Sequence, residues 1–414
     1  MKFVSDRRRR MAVRAKDVNL DARRIPKRSR SSALIVGLAA AAAVAAPTAA
    51  SAATGASPAS ASPVVGHVYV NDNTAGTNTI GAFDRHADGA LTPQAGSPFP
   101  AGGAGTGTGL AEQGAIQITP DGRFVIAVDA GSNQISVLRI LGDGSLSLVP
   151  GGIVSSGGLL PDSTAVHGDL VYVANSGNGG SNYTGFQLRL NGRLDPIPGS
   201  TVTLAANAAP ADVLFNGAGT KLVGTEVGTS VIDSFTVGSD GRLTAAPASP
   251  FPAQGLGPFG SEFRPTNPGQ LFVSNAHNGP GAGTISAYTD SPDGTLTPVA
   301  GSPFADQQTA PCWVEITHDG QFLFTVNTGS GEISRYQIAP DGTLTLLGST
   351  PVGKTGGVGA VDARLSPDGR YLYVDESRIG AVGAFAVHGG NLTELGTSPF
   401  ALPAGATPAG IVVS

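Results

Sequence analysis

The sequence predicts an all-β protein, a seven-bladed β-propeller built from four-stranded antiparallel blades. Three observations indicate this fold. Short apolar strands alternate with turns rich in Gly, Asn and Asp, one turn-and-strand motif returns seven times, and the C-terminal segment resembles the strand missing from the first repeat. Strands of about five residues joined by such turns are typical of antiparallel hairpins.

The clearest copy of the repeat is His318–Leu347. Asp319-Gly320 predicts a turn before a strand at Gln321–Val326, and a second turn cluster leads to an alternating strand at Ile333–Ile338. A third turn precedes the last short strand, Thr343–Leu347. One meander of three strands cannot bury both of its faces, so it needs copies of itself beside it.

The copies are marked by the last turn and strand, with the pattern Asp/Asn-Gly-x-Leu and a weaker seventh example at Gly389–Leu392. The leucines of this motif are Leu91, Leu146, Leu194, Leu243, Leu296, Leu344 and Leu392. They are separated by 55, 48, 49, 53, 48 and 48 residues. A period near fifty residues with three or four strands per unit predicts propeller blades, and seven copies predict seven blades.

The ring is predicted to close through the C-terminus. The first blade lacks an innermost strand at its own end, and Pro408–Val413 resembles Ala115–Thr119, the innermost strand of the second blade. A C-terminal strand in the first blade would remove the open edge. The second strands of the seven blades are predicted at Val64–Val70, Phe124–Val128, Leu170–Ala174, Lys221–Thr225, Leu271–Ser274, Phe322–Val326 and Tyr371–Val374. The outermost strands are expected to end in Ser-Pro-Phe, with Phe99, Phe251, Phe304 and Phe400 packed between blades.

The propeller is predicted to span residues 64–414, after a secretory signal peptide (1–52) and a flexible lead-in (53–63) of small and polar residues. The first segment holds 12 Lys and Arg, then an apolar alanine-rich stretch and an Ala50-Ser51-Ala52 cleavage site. This order is that of a signal peptide, and the apolar stretch is short for a membrane span. We therefore expect a secreted protein with no stable membrane span once the signal is removed.

Charge and cysteine content limit the function classes. Residues 1–52 contain 12 of the 25 basic and 3 of the 30 acidic residues, so the remainder has 13 basic against 27 acidic residues, a net charge of −14. Such an acidic surface disfavours nucleic acid as a partner. The single Cys312 permits no intramolecular disulfide, so a core of about 350 residues must stabilise the fold. We expect a monomer.

Chemistry in a propeller is expected at the rim of the central channel, where loops converge. The loops after the second strands supply Glu226, Asn275 and His277, and the segments entering the innermost strands supply Glu262, Arg264, Trp313 and Glu315. Asn and Asp at such places have a simple alternative explanation, since turns favour them. Glu226, His277 and Trp313 are not ordinary turn formers. Neither G-x-S-x-G nor H-E-x-x-H is present in the sequence.

The repeat unit, as in Pro367–Val374 (PDGRYLYV), together with the Ser-Pro-Phe exits, resembles the seven-bladed lactonase propellers. This family includes 6-phosphogluconolactonase-like proteins and carboxymuconate-lactonising enzymes, and the resemblance covers the whole chain after residue 63. It implies a rim site in which a Glu, a His and an Arg act on a lactone or its hydroxy acid. Glu226, which follows a second strand, matches the glutamate of the lactonising enzymes.

Other positions depart from the family pattern. Pro210-Ala211-Asp212 stands where those enzymes have Arg-His after a proline, and Gln113-Gly114-Ala115 stands where they have paired histidines. His277 and Arg264 are the available substitutes. The resulting hypothesis makes Glu226 the general base or acid, His277 its proton partner and Arg264 the group that orients a carboxylate, all within about 8 Å. Glu262, Trp313, Glu315 and Asn275 are the expected substrate contacts.

Two further hypotheses remain open at this stage. The chain could be a non-catalytic secreted propeller that binds a glycan, a cell-wall component or a protein, in which case the rim would hold only turn-type Asn and Asp. Alternatively, the acidic channel could hold a divalent cation, which requires several carboxylate oxygens about 2.3–2.6 Å from one point. The lactonase hypothesis needs no cofactor and no metal, and its ligand is a small-molecule lactone or hydroxy acid.

Overall fold

The computed structural model describes residues 62–177, 179–353 and 359–414. They form seven antiparallel sheets, which are the seven predicted blades. The predicted signal peptide and most of the predicted lead-in lie outside the described residues. Within the described ranges, no helix has the length and the apolar character needed to cross a membrane.

Each blade runs from an innermost strand at the channel to an outermost strand at the periphery. In order of blades 1 to 7, the innermost strands are Ile411–Val413, Ile116–Ile118, Pro161–His167, Pro210–Phe215, Pro258–Arg264, Pro311–Ile316 and Ala360–Leu365. The second strands are Val64–Asn71, Phe124–Asp129, Leu170–Asn175, Lys221–Glu226, Asn267–Asn275, Phe322–Asn327 and Tyr371–Glu376. The third strands are Thr79–His86, Gln134–Ile140, Asn182–Leu188, Val231–Val237, Thr284–Asp290, Glu332–Ile338 and Ala381–His388.

The outermost strands are Leu91–Pro93, Leu146–Ser155, Leu194–Pro196, Leu243–Ala245, Leu296–Pro298, Leu344–Pro351 and Asn391–Glu394. In five blades a second short piece also pairs with the third strand: Phe99–Pro100, Val202–Thr203, Phe251–Pro252, Phe304–Ala305 and Phe400–Ala401. A single 3-10 turn, Ala130–Ser132, follows the second strand of blade 2.

The C-terminal strand closes the ring, as predicted. Ile411–Val413 pairs with the second strand of blade 1, with Val68 opposite Val413 and Val70 opposite Ile411. The chain ends are further joined where the guanidinium of Arg85 donates to the carbonyl of Ser414 at 2.9 Å. The C-terminal strand thereby pairs with backbone N–H and C=O groups of blade 1 that would otherwise form an open sheet edge.

The Ser-Pro-Phe motif has a different position from the one predicted. It does not end the outermost strand. It interrupts that strand, and its phenylalanine begins the second short piece. The serine hydroxyl accepts a backbone N–H from the third strand, as Ser97 does from Ala82 at 2.8 Å. Phe99 packs against side chains of blades 1 and 2, and Phe304 packs against side chains of blades 5 and 6. The predicted location of these rings between blades is therefore confirmed.

Candidate functional site

A segment before the second blade crosses the central channel near the end at which the chain enters the innermost strands. We call that end the entry face. The backbone N–H of Gln113 donates to the carbonyl of Ala211 in blade 4 at 2.8 Å. Its side-chain Nε2 donates to the carbonyl of Ser261 in blade 5, and its Oε1 accepts the N–H of Val314 in blade 6, both at 3.0 Å. Gln113 thereby ties three blades together.

The glutamine can reach across because Gly260 leaves room for it. A Cβ at residue 260 would lie 2.0 Å from Gln113 Oε1, a separation that no side chain could tolerate. Gly114, the next residue, accepts the backbone N–H of Thr164 in blade 3 at 2.9 Å. The segment 109–114, hereafter the plug, therefore contacts blades 3 to 6 and forms a floor across the channel.

Beside the plug lies a cavity of about 330 Å³ on the entry face, hereafter the mouth cavity. Blades 3, 4 and 5 and the plug supply its walls. The lining residues are Gly109, Leu110, Ala111, Leu160, Asp162, Ser176, Ala209, Pro210, Val227, Phe259 and His277. A concave site with mainly apolar walls and a few polar groups is the usual form of a small-molecule site.

Asp162 is the ionisable group in the wall of this cavity whose pKa is most perturbed. It is only 3% exposed, and its Oδ1 has no hydrogen-bond partner. Burial raises the pKa of the Asp162 carboxyl well above its ordinary range, although a hydrogen bond from Ser176 acts in the opposite direction. A buried carboxyl group with a free oxygen and a raised pKa is a candidate proton acceptor.

Glu112, in the plug, has a related environment. It is 1% exposed, and its Oε2 has no hydrogen-bond partner. Burial raises the pKa of Glu112 well above the ordinary glutamate value, and the charges of Asp362 and Asp162 raise it further. Carboxyl groups therefore surround the floor of the cavity, and burial favours their neutral forms.

Most other acids of the channel have a structural role. The innermost strands are edge strands, so their outward backbone N–H groups need acceptors. Asp212 of blade 4 accepts the N–H of Ser261 in blade 5 at 2.9 Å. Glu315 of blade 6 accepts the N–H of Leu365 in blade 7 at 2.8 Å. We call these contacts the inter-blade ring.

The inter-blade ring continues around the channel. Asp362 of blade 7 accepts the N–H of Ile411 in blade 1 at 3.3 Å, and Ser163 of blade 3 accepts that of Val213 in blade 4 at 3.2 Å. Hydrogen bonding thus explains why the channel is acidic without any ligand. Among the described residues, no group of three His, Cys, Asp or Glu side chains is placed to hold a metal ion. The cation hypothesis therefore has no geometric support in this part of the chain.

Glu226, the predicted general base, is 4% exposed and does not line the mouth cavity. Its side chain hydrogen-bonds Asp233 on the third strand of the same blade and accepts the hydroxyl of Thr229. Burial and the neighbouring Glu226 raise the pKa of Asp233 to about 8, and Tyr183 of blade 3 donates to Asp233 at 2.9 Å. Glu226 therefore belongs to a carboxyl pair between blades 3 and 4.

His277 does line the mouth cavity, where its exposed ring lies over Gly257. Asn275, two residues earlier, does not contact the cavity. Its Nδ2 donates to Ser286 at 2.8 Å and to Thr284 at 3.0 Å, which fixes the turn between the second and third strands of blade 5. Asn327 makes the same contact with Ser334 in blade 6 at 2.9 Å. These asparagines stabilise turns, so the simpler explanation for them applies.

Arg264 lies at the opposite end of its blade. It is the last residue of the strand Pro258–Arg264, and it donates to the carbonyls of Gly320 at 2.8 Å and Ala339 at 2.9 Å. The second strand of blade 5, Asn267–Asn275, separates this end from His277, which is roughly 25 Å at about 3.3 Å per residue. The expectation that Glu226, His277 and Arg264 share one pocket is therefore wrong.

The other predicted substrate contacts also lie away from the mouth cavity. Glu262 receives the N–H of Ile316 and lines a separate cavity of about 560 Å³ on the opposite face, together with Arg264. Glu315 serves the inter-blade ring and pairs with Arg364 at 3.2 Å. Glu262, Arg264 and Glu315 belong to the innermost strands themselves and not to the loops that enter them. This is why they do not lie at the mouth cavity, where the sequence predicts them.

Trp313 is buried behind the cavity wall. Its ring meets that of Phe259 edge to face, with centroids 5.4 Å apart, and Phe259 in turn lines the mouth cavity. Trp313 therefore supports a wall residue and does not itself line the mouth cavity.

Sequence reasoning missed Asp162 and Glu112. A usable signal existed for Asp162, because Pro161-Asp162 begins its innermost strand much as Pro210 begins the next one. No local pattern marks Glu112, because its surroundings come from four blades.

Comparison of the chain with known protein families and solved structures supports this architecture. The family model described as "Lactonase, 7-bladed beta-propeller" matches residues 75–197 and 262–408, together 270 of the 414 residues. Asp162 and His277 lie within the matched segments. No curated protein matches the chain in sequence.

Solved structures share the fold at low identity. A putative 6-phosphogluconolactonase from Bacteroides uniformis superimposes with a TM-score of 0.69 at 18% identity, covering 85% of this chain and 100% of its own. The periplasmic gluconolactonase PpgL of Pseudomonas aeruginosa gives a TM-score of 0.67 at 16% identity, covering 84% of this chain and 98% of its own. Since the family model matches more than half of the residues, the chain belongs to the seven-bladed β-propeller lactonase family.

Proposed function

We propose that this protein hydrolyses a lactone in the mouth cavity, with Asp162 as general base. The observation that carries the proposal is the free, buried Oδ1 of Asp162 in the wall of a ligand-sized cavity. Membership of a lactonase family supports the reaction class. The Ala and Pro residues and the aliphatic and aromatic side chains around the carboxyl make its surroundings largely apolar.

The chemistry needs only water and one proton carrier. The Asp162 carboxylate removes a proton from a water molecule, whose oxygen attacks the lactone carbonyl carbon. The carbonyl oxygen becomes an oxyanion, and the ring of His277 at the cavity edge can donate a hydrogen bond to it. When the ring C–O bond breaks, the departing oxygen takes the proton back from Asp162. Lactone and water thus become one hydroxy acid, and Asp162 returns to its starting state.

The test compares Asp162→Asn with Asp306→Asn in the full-length protein. Asp306 is also a buried aspartate whose pKa burial raises, to about 6, but it lies between blades 5 and 6 and bonds the hydroxyl of Tyr336. We expect Asp162→Asn to lower kcat for lactone hydrolysis by about 10²–10⁴-fold. Asp306→Asn should leave kcat within about twofold.

The pH profile provides a second readout. A general base must be unprotonated, so kcat/KM should rise with pH through an apparent pKa well above that of an ordinary aspartate. Equal activity in Asp162→Asn and the wild type would refute the assignment of the base. If the wild type hydrolyses no lactone, the enzyme proposal itself fails, and the propeller would be a binding protein for a glycan or another protein.

We also propose that the protein is exported, on the basis of the basic, apolar and Ala50-Ser51-Ala52 segments of residues 1–52. Mass spectrometry of the protein recovered outside the cytoplasm should give an N-terminus close to Ala53. An intact N-terminus in a cytoplasmic protein would refute this proposal.

A further inference from the structure

The mouth cavity has an unusually apolar wall for a site that handles lactones. Leu110, Leu160, Val227 and Phe259 face it, with Pro210 beside them. Its polar side chains are Asp162, Ser176 and His277. The hydroxyl of Ser176 has one proton and two acceptors beside it, the carbonyl of Leu160 at 3.1 Å and the carboxyl of Asp162. Few polar groups therefore remain to meet the hydroxyl groups of a sugar.

Leu160 is held in the cavity wall at a conformational cost. Its φ is +51°, a left-handed conformation that recurs before the innermost strands of blades 4 to 7, at Ala209, Gly257, Ala310 and Gly359. Its N–H donates to Asn133 at 2.7 Å, and its carbonyl accepts the N–H of Ser176 at 3.0 Å.

The charges around the cavity oppose an anionic ligand. Among the residues that the structure describes, no lysine or arginine lines it. The guanidinium of Arg364 pairs with Glu315 at 3.2 Å, and the acids Asp362, Glu262 and Asp212 also act on it. Arg264 lies on the opposite face. A phosphate or carboxylate in the mouth cavity would therefore be desolvated beside carboxyl groups without a counterion.

We propose that the substrate of this site is an uncharged lactone whose ring carries an apolar substituent. The proposal rests on the proposed lactone hydrolysis in the mouth cavity. The lactone carbonyl would lie by Asp162, and the substituent would pack against Leu160 and Phe259. Apolar burial then supplies the binding energy that phosphate or hydroxyl contacts supply in other sites.

The experiment measures kcat/KM of the full-length protein for four lactones: δ-valerolactone, its butyl-substituted form δ-nonalactone, D-glucono-δ-lactone and 6-phospho-D-glucono-δ-lactone. We expect each buried methylene to raise kcat/KM about three- to fourfold, so δ-nonalactone should exceed δ-valerolactone by at least about tenfold. The gluconolactone should be slower than δ-nonalactone by about tenfold or more, and the phosphorylated lactone slower still.

Two leucine variants locate the preference. Leu160→Asn keeps a residue that tolerates a left-handed conformation but removes the apolar side chain. It should reduce the ratio of δ-nonalactone to δ-valerolactone rates by about threefold or more. Leu159→Asn is the matched control, because Leu159 is the exposed neighbour that does not line the cavity, and its ratio should equal that of the wild type.

The outcomes separate this proposal from the one on which it rests. Faster hydrolysis of either glucono-lactone than of δ-nonalactone would overturn the apolar-substrate proposal and leave lactone hydrolysis standing. Hydrolysis of none of the four lactones would overturn both. An unchanged ratio in Leu160→Asn would also overturn the placement of the substituent, whatever the wild type prefers.

Discussion

Asp162 and Asp212 lie near the starts of adjacent innermost strands, in blades 3 and 4, and their environments differ in one respect. Both are almost fully buried, and burial raises the pKa of both, in Asp212 to about 7. Asp212 accepts two hydrogen bonds from Ser261, at 2.9 Å from its N–H and 2.5 Å from its hydroxyl. Asp162 keeps one oxygen without a partner and faces a cavity.

The difference shows how one residue type serves two purposes in the same channel. Asp212 accepts two hydrogen bonds from the next blade at its Oδ2 and so helps to stabilise the inter-blade ring. An aspartate beside the plug, where the channel widens into the mouth cavity, keeps an oxygen for chemistry. Residue type and burial are therefore insufficient to identify a candidate catalytic carboxylate, and what marks Asp162 is an unpartnered oxygen together with a place in the wall of the mouth cavity.

The comparison is tested most strongly by changing each aspartate in turn. Asp212→Ala leaves the buried N–H and hydroxyl of Ser261 without an acceptor, so the free energy of unfolding should fall by about 1–3 kcal/mol. Its kcat for lactone hydrolysis should be retained. Asp162→Asn should show the reverse, with normal stability in urea and a large loss of kcat. If both variants lost stability and kcat to the same extent, the proposed difference between the roles of Asp212 and Asp162 would be contradicted.

A second prediction concerns the pH dependence of stability. The folded-state pKa values of Asp212 and Asp233 are raised to about 7 and about 8, above the value of about 4 expected in the unfolded chain. Between these values the folded state binds more protons than the unfolded state. The free energy of unfolding should therefore decrease as pH rises from about 4 to 8 and level off above.

Urea unfolding at pH 5 and pH 8 measures this effect, and we expect a loss on the order of 5 kcal/mol at the higher pH, because these two groups titrate over about two and about three pH units. Asp233→Asn should reduce the loss, because one of the titrating groups is then absent. Stability that is constant or greater at pH 8 would contradict the description of these carboxyl groups as buried and neutral.

The smallest effect is expected for Glu226→Gln. This change removes the charge that raises the pKa of Asp233, but Glu226 does not reach the mouth cavity. We expect kcat to stay within about threefold of the wild type and stability at pH 8 to rise by less than about 1 kcal/mol. A loss of kcat as large as that of Asp162→Asn would restore Glu226 as the general base.

The fold was predictable because it repeats. The Asp-Gly-x-Leu turns fix the blades, and the likeness of Pro408–Val413 to an innermost strand locates the ring closure, so local signals and architecture agree. The site was much less predictable. Arg264 and Glu315 were assigned to entering loops because no tight turn marks where an innermost strand begins. Both residues lie within innermost strands, away from the entry face at which a loop residue would be expected.

Long-range contacts account for the remaining errors. Gln113 and Glu112 acquire their roles from partners in distant blades, such as Val314, which is 201 residues away. The sequence repeat describes each blade by itself, so it does not predict a contact between residues of distant blades. His277, by contrast, was correctly expected at the rim, because it follows a second strand whose position the repeat defines.

The most direct test of the central claim is a crystal structure of the protein with a butyl-substituted δ-lactam, a stable analogue of the proposed substrate. The account predicts that the lactam carbonyl lies within hydrogen-bond reach of Asp162 or of a water bound to it, with the butyl chain between Leu160 and Phe259. A lactam bound instead in the opposite-face cavity beside Glu262 and Arg264 would contradict it. So would an empty mouth cavity at a lactam concentration that inhibits hydrolysis.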